Sequence, residues 1–197
     1  AERLGVAKGG ANLQDGPIGT KRWAELADGQ SMAKDGTISL ALDAPLDRRS
    51  ADFTIHGYRP DGLRHLSVRK HLASDELGSL VAVAKALTDG HKVKLYLPPK
   101  SPALAWWDDL VKAGVDVEEV KPAEFYQAQQ TIEQAVVDGS LRHRGQPEMT
   151  AAVQGLAARV AGDSSPWSRR SSSTNAAPLF AAAAAVAAPV AVPFFVY

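Results

Sequence analysis

The sequence predicts an α/β domain built on a mixed central sheet that opens with three antiparallel strands and is flanked by helices. Three observations predict it. Segments between residues 37 and 68 alternate apolar and polar side chains with the period of a strand. From Leu77 the apolar residues switch to helical spacing. Beyond that point short strand-like and longer helix-like segments take turns almost to the C-terminus, the pattern of helices packed on a partly parallel sheet.

In order along the chain, residues 1–34 are rich in Gly, Ala and polar side chains, with loop signals at Gly9-Gly10 and Asp15-Gly16-Pro17. Trp23 and Leu26 stand one helical turn apart, so this stretch reads as an entry linker that docks one short element. Thr37–Leu42, Phe53–Tyr58 and Leu63–Val68 are the three expected strands, the last two joined across the turn signal Pro60-Asp61-Gly62. Leu77, Leu80, Val81, Ala84 and Leu87 line one face of a helix, with Ser74 placed to cap it and Asp89-Gly90 to end it. Val93–Leu97 is a short strand. Pro102 opens a helix through Leu110 that Gly114 stops. Val115, Val117 and Val120 suggest another strand, and residues 122–138 another helix. A turn at Gly139-Ser140 leads to the segment Leu141-Arg142-His143, a helix from Pro147 to about Ala161, a polar loop over 162–173 and a final helix over 176–188. No internal repeat is visible.

Composition narrows the chemistry. Cysteine is absent, which removes disulfides, zinc ribbons and thiol nucleophiles and fits a reducing compartment. Lys and Arg number 22, as do Asp and Glu, so any nucleic-acid face must be a local basic patch offset elsewhere. The N-terminus begins without Met and shows no basic-then-apolar leader pattern, which suggests an excised portion of a longer chain. Residues 176–197 are uncharged and long enough to raise a membrane anchor, but Pro178, Pro189 and Pro193 interrupt them and alanine is weakly hydrophobic. A buried alanine-rich helix followed by an extended tail is the preferred reading.

No phosphate-cradling Gly-x4-Gly-Lys-Ser/Thr loop appears, so the chain itself is not expected to hydrolyse ATP. Dinucleotide-binding glycine patterns, a His-Glu-x-x-His zinc motif and a nucleophile elbow are also missing. What remains is Asp43 at the end of the first strand, with Asp47 and Asp52 near it. A carboxylate on a rigid strand end suits Mg²⁺, which takes one or two carboxylates together with waters and phosphate oxygens. The same Asp can instead open the turn Asp43-Ala44-Pro45. Late in the chain Arg142, His143, Arg144, Arg159, Arg169 and Arg170 gather around Trp167 and the serine run 171–173. This composition suits either contact with a phosphate backbone without base readout or an ordinary solvated loop, and His143 can instead be a core or turn histidine.

Several motifs occur together in order: Arg3-Leu4-Gly5-Val6, Trp23, the strand ending in Asp43, Asp61-Gly62-x-x-His65, Leu141-x-His143-x-Gly145-x-Pro147, Gly162-Asp163, Trp167-x-Arg169 and Pro178-Leu179-x-Ala181. In that order and spacing, over nearly the whole chain, they resemble the C-terminal nuclease domain of tailed-phage large terminase subunits, actinobacterial-phage type, in the ribonuclease-H-like superfamily. The resemblance implies residues 1–34 as a linker from an absent ATPase domain, 35–188 as the nuclease domain and 189–197 as a tail. It implies two-metal, Mg²⁺- or Mn²⁺-dependent cutting of concatemeric double-stranded DNA in the cytoplasm of a bacterial host, for a phage or prophage. Partners would be the terminase ATPase domain, the small terminase subunit and the portal.

By the same resemblance Asp43 is the first catalytic acid and metal ligand. The second acid position reads as Leu97, followed by Pro98-Pro99, and the third as Asn175. Asp108 and Asp109 on the following helix are candidates to reach in, or are a solvated helix face. Two dications need several shared carboxylates, so weak metal binding is the expectation. Arg142, His143, Arg144, Arg169 and Arg170 are the expected DNA contacts. The competing expectation is a catalytically decayed homologue that binds DNA or the motor without cutting, and a third, more distant one is a tether through residues 176–197.

Overall fold

The computed structural model describes residues 16–159 and 166–189. The motifs at Arg3–Val6 and Gly162-Asp163, and all of the expected tail after Pro189, lie outside the described residues. A short helix α1 (Thr20–Glu25) precedes three antiparallel strands, β1 (Ser39–Asp43), β2 (Ala51–Tyr58) and β3 (Arg64–Leu72). There follow α2 (Leu80–His91), β4 (Leu95–Leu97), α3 (Trp107–Lys112), β5 (Val117–Glu119), α4 (Pro122–Asp138), β6 (Leu141–His143) and α5 (Pro147–Gly155). A two-stranded ribbon of β7 (Ala157–Ala158) and β8 (Trp167–Ser168) leads to the last helix, α6 (Ala177–Ala187). The six-stranded sheet has the order β5-β4-β1-β2-β3-β6, and β4, β5 and β6 each run parallel to their neighbour.

Strand alternation divides the core between the two faces of this sheet. Leu40, Leu42, Phe53, Ile55, Leu95 and Leu97 point to the face covered by α2 and α3. Ala41, Leu66, Val68 and Tyr96 point to the other, covered by α4, α5, α6 and α1. Residues of α6 from Ala177 to Ala185 are all buried. Because most of them are alanines, the helix backbone comes close enough to be hydrogen-bonded by the sheet. The Ser39 hydroxyl donates to the Ala185 carbonyl at 2.5 Å and the Thr54 hydroxyl to the Pro178 carbonyl at 3.2 Å. The first of these satisfies a last-turn carbonyl that the helix cannot satisfy internally. Among the described residues no helix is long and apolar enough to cross a membrane.

Several boundaries differ from the sequence expectation. The helix expected to reach Ala161 stops at Gly155, where the chain turns extended at Leu156 and enters the ribbon. Thr174 packs so tightly there that a Cβ on Gly155 would stand 2.1 Å from its hydroxyl oxygen. The expected polar loop 162–173 contains β8, the ribbon's second strand. Ser74 opens a 3-10 turn (Ser74–Ser79) rather than capping α2, and the segment after Pro102 is a 3-10 turn (Pro102–Trp106) that becomes α3. Trp23, expected on a linker, is buried and stacks on the His143 ring at 3.8 Å.

Candidate functional site

Asp43 ends β1 and Asp52 lies on β2, and the antiparallel register sets them directly opposite one another. Opposed residues project from the same face of a sheet, so both carboxyl groups stand on the α6 side, between the sheet and the start of that helix. Both side chains are fully buried. A buried carboxylate demands partners, and each has two. The Ser101 hydroxyl, on the loop after β4, donates to Asp43 Oδ1 at 2.5 Å. Arg169, just after β8, forms an ion pair with Asp43 Oδ2 through Nη1, which also donates to the Ala44 carbonyl at 3.3 Å. Its guanidinium lies 3.9 Å above the Phe180 ring of α6, a cation–π contact that fixes it further. For Asp52 the partners are His71 Nδ1 at 2.7 Å and Asn175 Nδ2 at 3.2 Å.

The electrostatics follow from burial and pairing. Burial pushes the Asp43 carboxyl upward in pKa, while the Arg169 charge and the hydrogen bonds from Arg169 and Ser101 pull the other way. Removing Arg169 would leave burial almost unopposed. The hydrogen bond to Asp52 raises the half-buried His71 imidazole, favouring its charged form. Asp43 is thus paired with the Arg169 cation, and Asp52 is bonded by an imidazole whose charged form that bond favours.

Asn175 stands beside these acids, just before α6. Its amide donates to Asp52 and its carbonyl oxygen caps the Ala177 N–H at 2.9 Å. It is a positioned spacer with its polar atoms in use. The β4 position needs correcting. Leu97 belongs with Leu40 and Leu42 on the opposite face of the sheet and cannot approach Asp43. Leu40 pairs with Leu95 and Ala41 with Tyr96, and carrying that register forward brings residue 98 alongside Asp43. That residue is Pro98, which has no carboxylate. Asp108 and Asp109 are exposed on α3, beyond the far face of the sheet, and do not join the site.

A pair of Mg²⁺ or Mn²⁺ ions does not fit this donor set. Among the described residues no group of three or more His, Asp or Glu is arranged to hold a metal. Two carboxylates and one carboxamide remain, all engaged by protein donors, where two dications need several shared anionic ligands.

The expected DNA contacts do not form one surface. His143 is buried, accepting from the Gly145 N–H at Nδ1 (3.0 Å) and bonding the Trp23 carbonyl through Nε2 (2.8 Å), so it has no face free for DNA. Arg142 turns back to the Gly139 and Leu141 carbonyls. Arg144 is exposed on the β6 edge, beside the end of β3 away from His71. Only Arg169 and the exposed Arg170 are near Asp43. Trp167 is core, its indole N–H bonded to Glu133 at 2.7 Å. The β1–β2 loop supplies what the sequence reading missed: Arg49 is exposed there and lines a cavity together with Arg169, the partner of Asp43. Arg49, Ser50, Arg169, Thr174 and Asn175 line this cavity of about 380 Å³. The signal for Asp52 and Arg49 was the hairpin itself, because folding the two predicted strands together puts 43 opposite 52.

No protein-family model and no curated protein sequence matches the chain. Solved structures do. The HK97 bacteriophage large terminase superposes with a TM-score of 0.63 at 13% identity, over 89% of this chain and 44% of that one. The large terminase nuclease of thermophilic phage G20c gives 0.59 at 8% identity over 87% of this chain and 97% of that one, and its magnesium-bound form gives 0.58 at 9%, over 87% and 96%. The architecture is therefore the ribonuclease-H-like α/β fold. Within that class it is the fold of large-terminase nuclease domains, and the chain spans about half the length of the HK97 protein.

Proposed function

We propose that this chain serves a phage large terminase as its nuclease-type domain, engaging duplex DNA during genome packaging without two-metal cleavage. The observation that carries the reading is that both Asp43 carboxylate oxygens are taken, by Ser101 and by Arg169. Pro98 and Asn175 supply no further acid around it. On this reading the domain works in the cytoplasm of the bacterial host beside an ATPase domain, a small terminase subunit and the portal. Its contact with DNA is made through arginines to the phosphate backbone, without base readout.

A second reading is a divalent-metal-dependent endonuclease, favoured by the direct opposition of Asp43 and Asp52 on adjacent strands. Supercoiled plasmid with Mn²⁺ separates the two, alongside duplex binding measured in EDTA. The proposed reading expects binding in EDTA and intact plasmid from wild type and Asp43→Ala alike. Wild-type nicking that Asp43→Ala abolishes selects the endonuclease. Loss of all duplex binding refutes the DNA-engaging reading.

A further inference from the structure

We propose that the cavity beside Asp43 is a seat for a backbone phosphate, held by Arg49 and Arg169 in place of divalent metal. This rests on the DNA-engaging reading above and names the group by which the DNA is held. The cavity, about 380 Å³, is far larger than the ~30 Å³ share of a water molecule. Two arginines line it, one from the β1–β2 loop and one from the turn after β8.

They are prepared differently. Arg49 is exposed, and its guanidinium has no hydrogen-bond or ion-pair partner among the described residues. Arg169 is held rigidly by Asp43 and by the Phe180 ring, yet its second terminal nitrogen, Nη2, is buried with no hydrogen-bond partner among the described residues. A buried guanidinium N–H without an acceptor is costly, and a phosphate oxygen is the acceptor its geometry suits best. The Ser50 hydroxyl adds a donor, since the one bond assigned to it, from Asn175 Nδ2 at 3.5 Å, uses its oxygen as acceptor.

The donors come from these side chains and not from the start of α6. There the Ala177 N–H is already capped by Asn175 and Pro178 has none. One carboxylate, Asp47, also lines the cavity, and its Oδ1 accepts from the Arg49 backbone N–H at 3.0 Å. Both oxygens of Asp43 and of Asp52 are engaged by protein donors, so neither presents a free carboxylate oxygen to an incoming anion. A site that a dication would otherwise make attractive to phosphate is thus made attractive by arginine.

The test is an amide-shift NMR titration of the whole chain, first with inorganic phosphate in EDTA, then with a short duplex DNA, each repeated on Arg49→Gln. Arg49 is exposed, so the variant keeps the fold. The seat predicts saturable shifts confined to residues 45–50 and 169–177 with phosphate, the same with Mg²⁺ as with EDTA, and lost in Arg49→Gln. With duplex DNA the variant should bind more weakly, with a log–log salt slope shallower by about one. Absence of saturable shifts with phosphate, or an Arg49→Gln titration identical to wild type, overturns the seat. Duplex binding that leaves the cavity silent also overturns it and leaves the DNA-engaging reading standing. Phosphate binding at the cavity that no duplex competes with likewise overturns the seat as one for a DNA backbone phosphate.

Discussion

At one end of β1 and β2 the α6 face buries Asp43 and Asp52, the first paired with Arg169 and the second with the His71 ring, whose charged form the pairing favours. At the other end the same sheet buries His56 and His65, and beside them on β6 His143, with no carboxylate among the described residues bonded to any of the three rings. His56 takes a hydrogen bond from Arg64 at 3.0 Å, while His65 lies between the hydroxyls of Ser31 and Ser67 at 2.8 and 2.9 Å. Desolvation, with help from nearby arginines, lowers His56 to about 3 and His65 to about 4. One end therefore tolerates burial by pairing opposite charges and the other by discarding charge. At the paired end the cavity lined by Arg49 and Arg169 offers cationic donors to an anionic ligand.

The largest expected effect tests the histidine end. His56 and His65 bind protons less readily folded than unfolded, so the unfolded state gains protons first as pH falls. Stability is full above pH 6.5, the ordinary value, and falls on acidification toward the folded values of about 4 and about 3. Each neutral histidine contributes ~1.4 kcal/mol per pH unit in that window. Urea denaturation between pH 7 and 5 should show this slope, reduced by about half in His56→Gln. His71 acts in the opposite sense. Its folded value is raised, so its contribution is present below pH 6.5 and lost as pH rises through the folded value. An unchanged slope in His56→Gln would remove the distinction between the two ends.

Next in size is the ion pair. Arg169→Met strands a buried carboxylate and should cost about 3–5 kcal/mol by the same denaturation. Adding Asp43→Asn to it should restore most of the loss, because the charge that needed a partner is then gone. Additive losses in the double variant would show that the pair is not the unit. Ser101→Ala removes one charged hydrogen bond and should cost about 1.5–3 kcal/mol. Smallest is Ser39→Ala, opposite His56 at the histidine end, where loss of the bond to α6 should cost about 1 kcal/mol in thermal unfolding.

The architecture was legible because alternation over 37–68 and the later helical periods are local signals that the packing reinforces. Asp43 was legible for the same reason, as the last residue of a clear strand. Its surroundings were not. Arg169 is 126 residues away and reads locally as one more basic loop residue. His71 appears as a partner only once β3 is seen to continue past Val68 to Leu72. Leu97 was misplaced because the sequence gives a strand's period without saying which of its faces carries the site, and one residue decides that. Trp167 was misread as part of a basic surface patch, and His143 took its core alternative rather than its DNA-contact one, since nothing near them in sequence announces their packing against Phe180 and Trp23.

On the proposed reading, protein side chains rather than metal ions satisfy Asp43 and Asp52. A Mg²⁺ titration followed by the backbone amide shifts of residues 43, 52, 71, 169 and 175 tests it most directly. The account predicts no saturable change at those positions at millimolar Mg²⁺. A saturable shift centred on Asp43 and Asp52, accompanied by release of the Arg169 side chain, would contradict it.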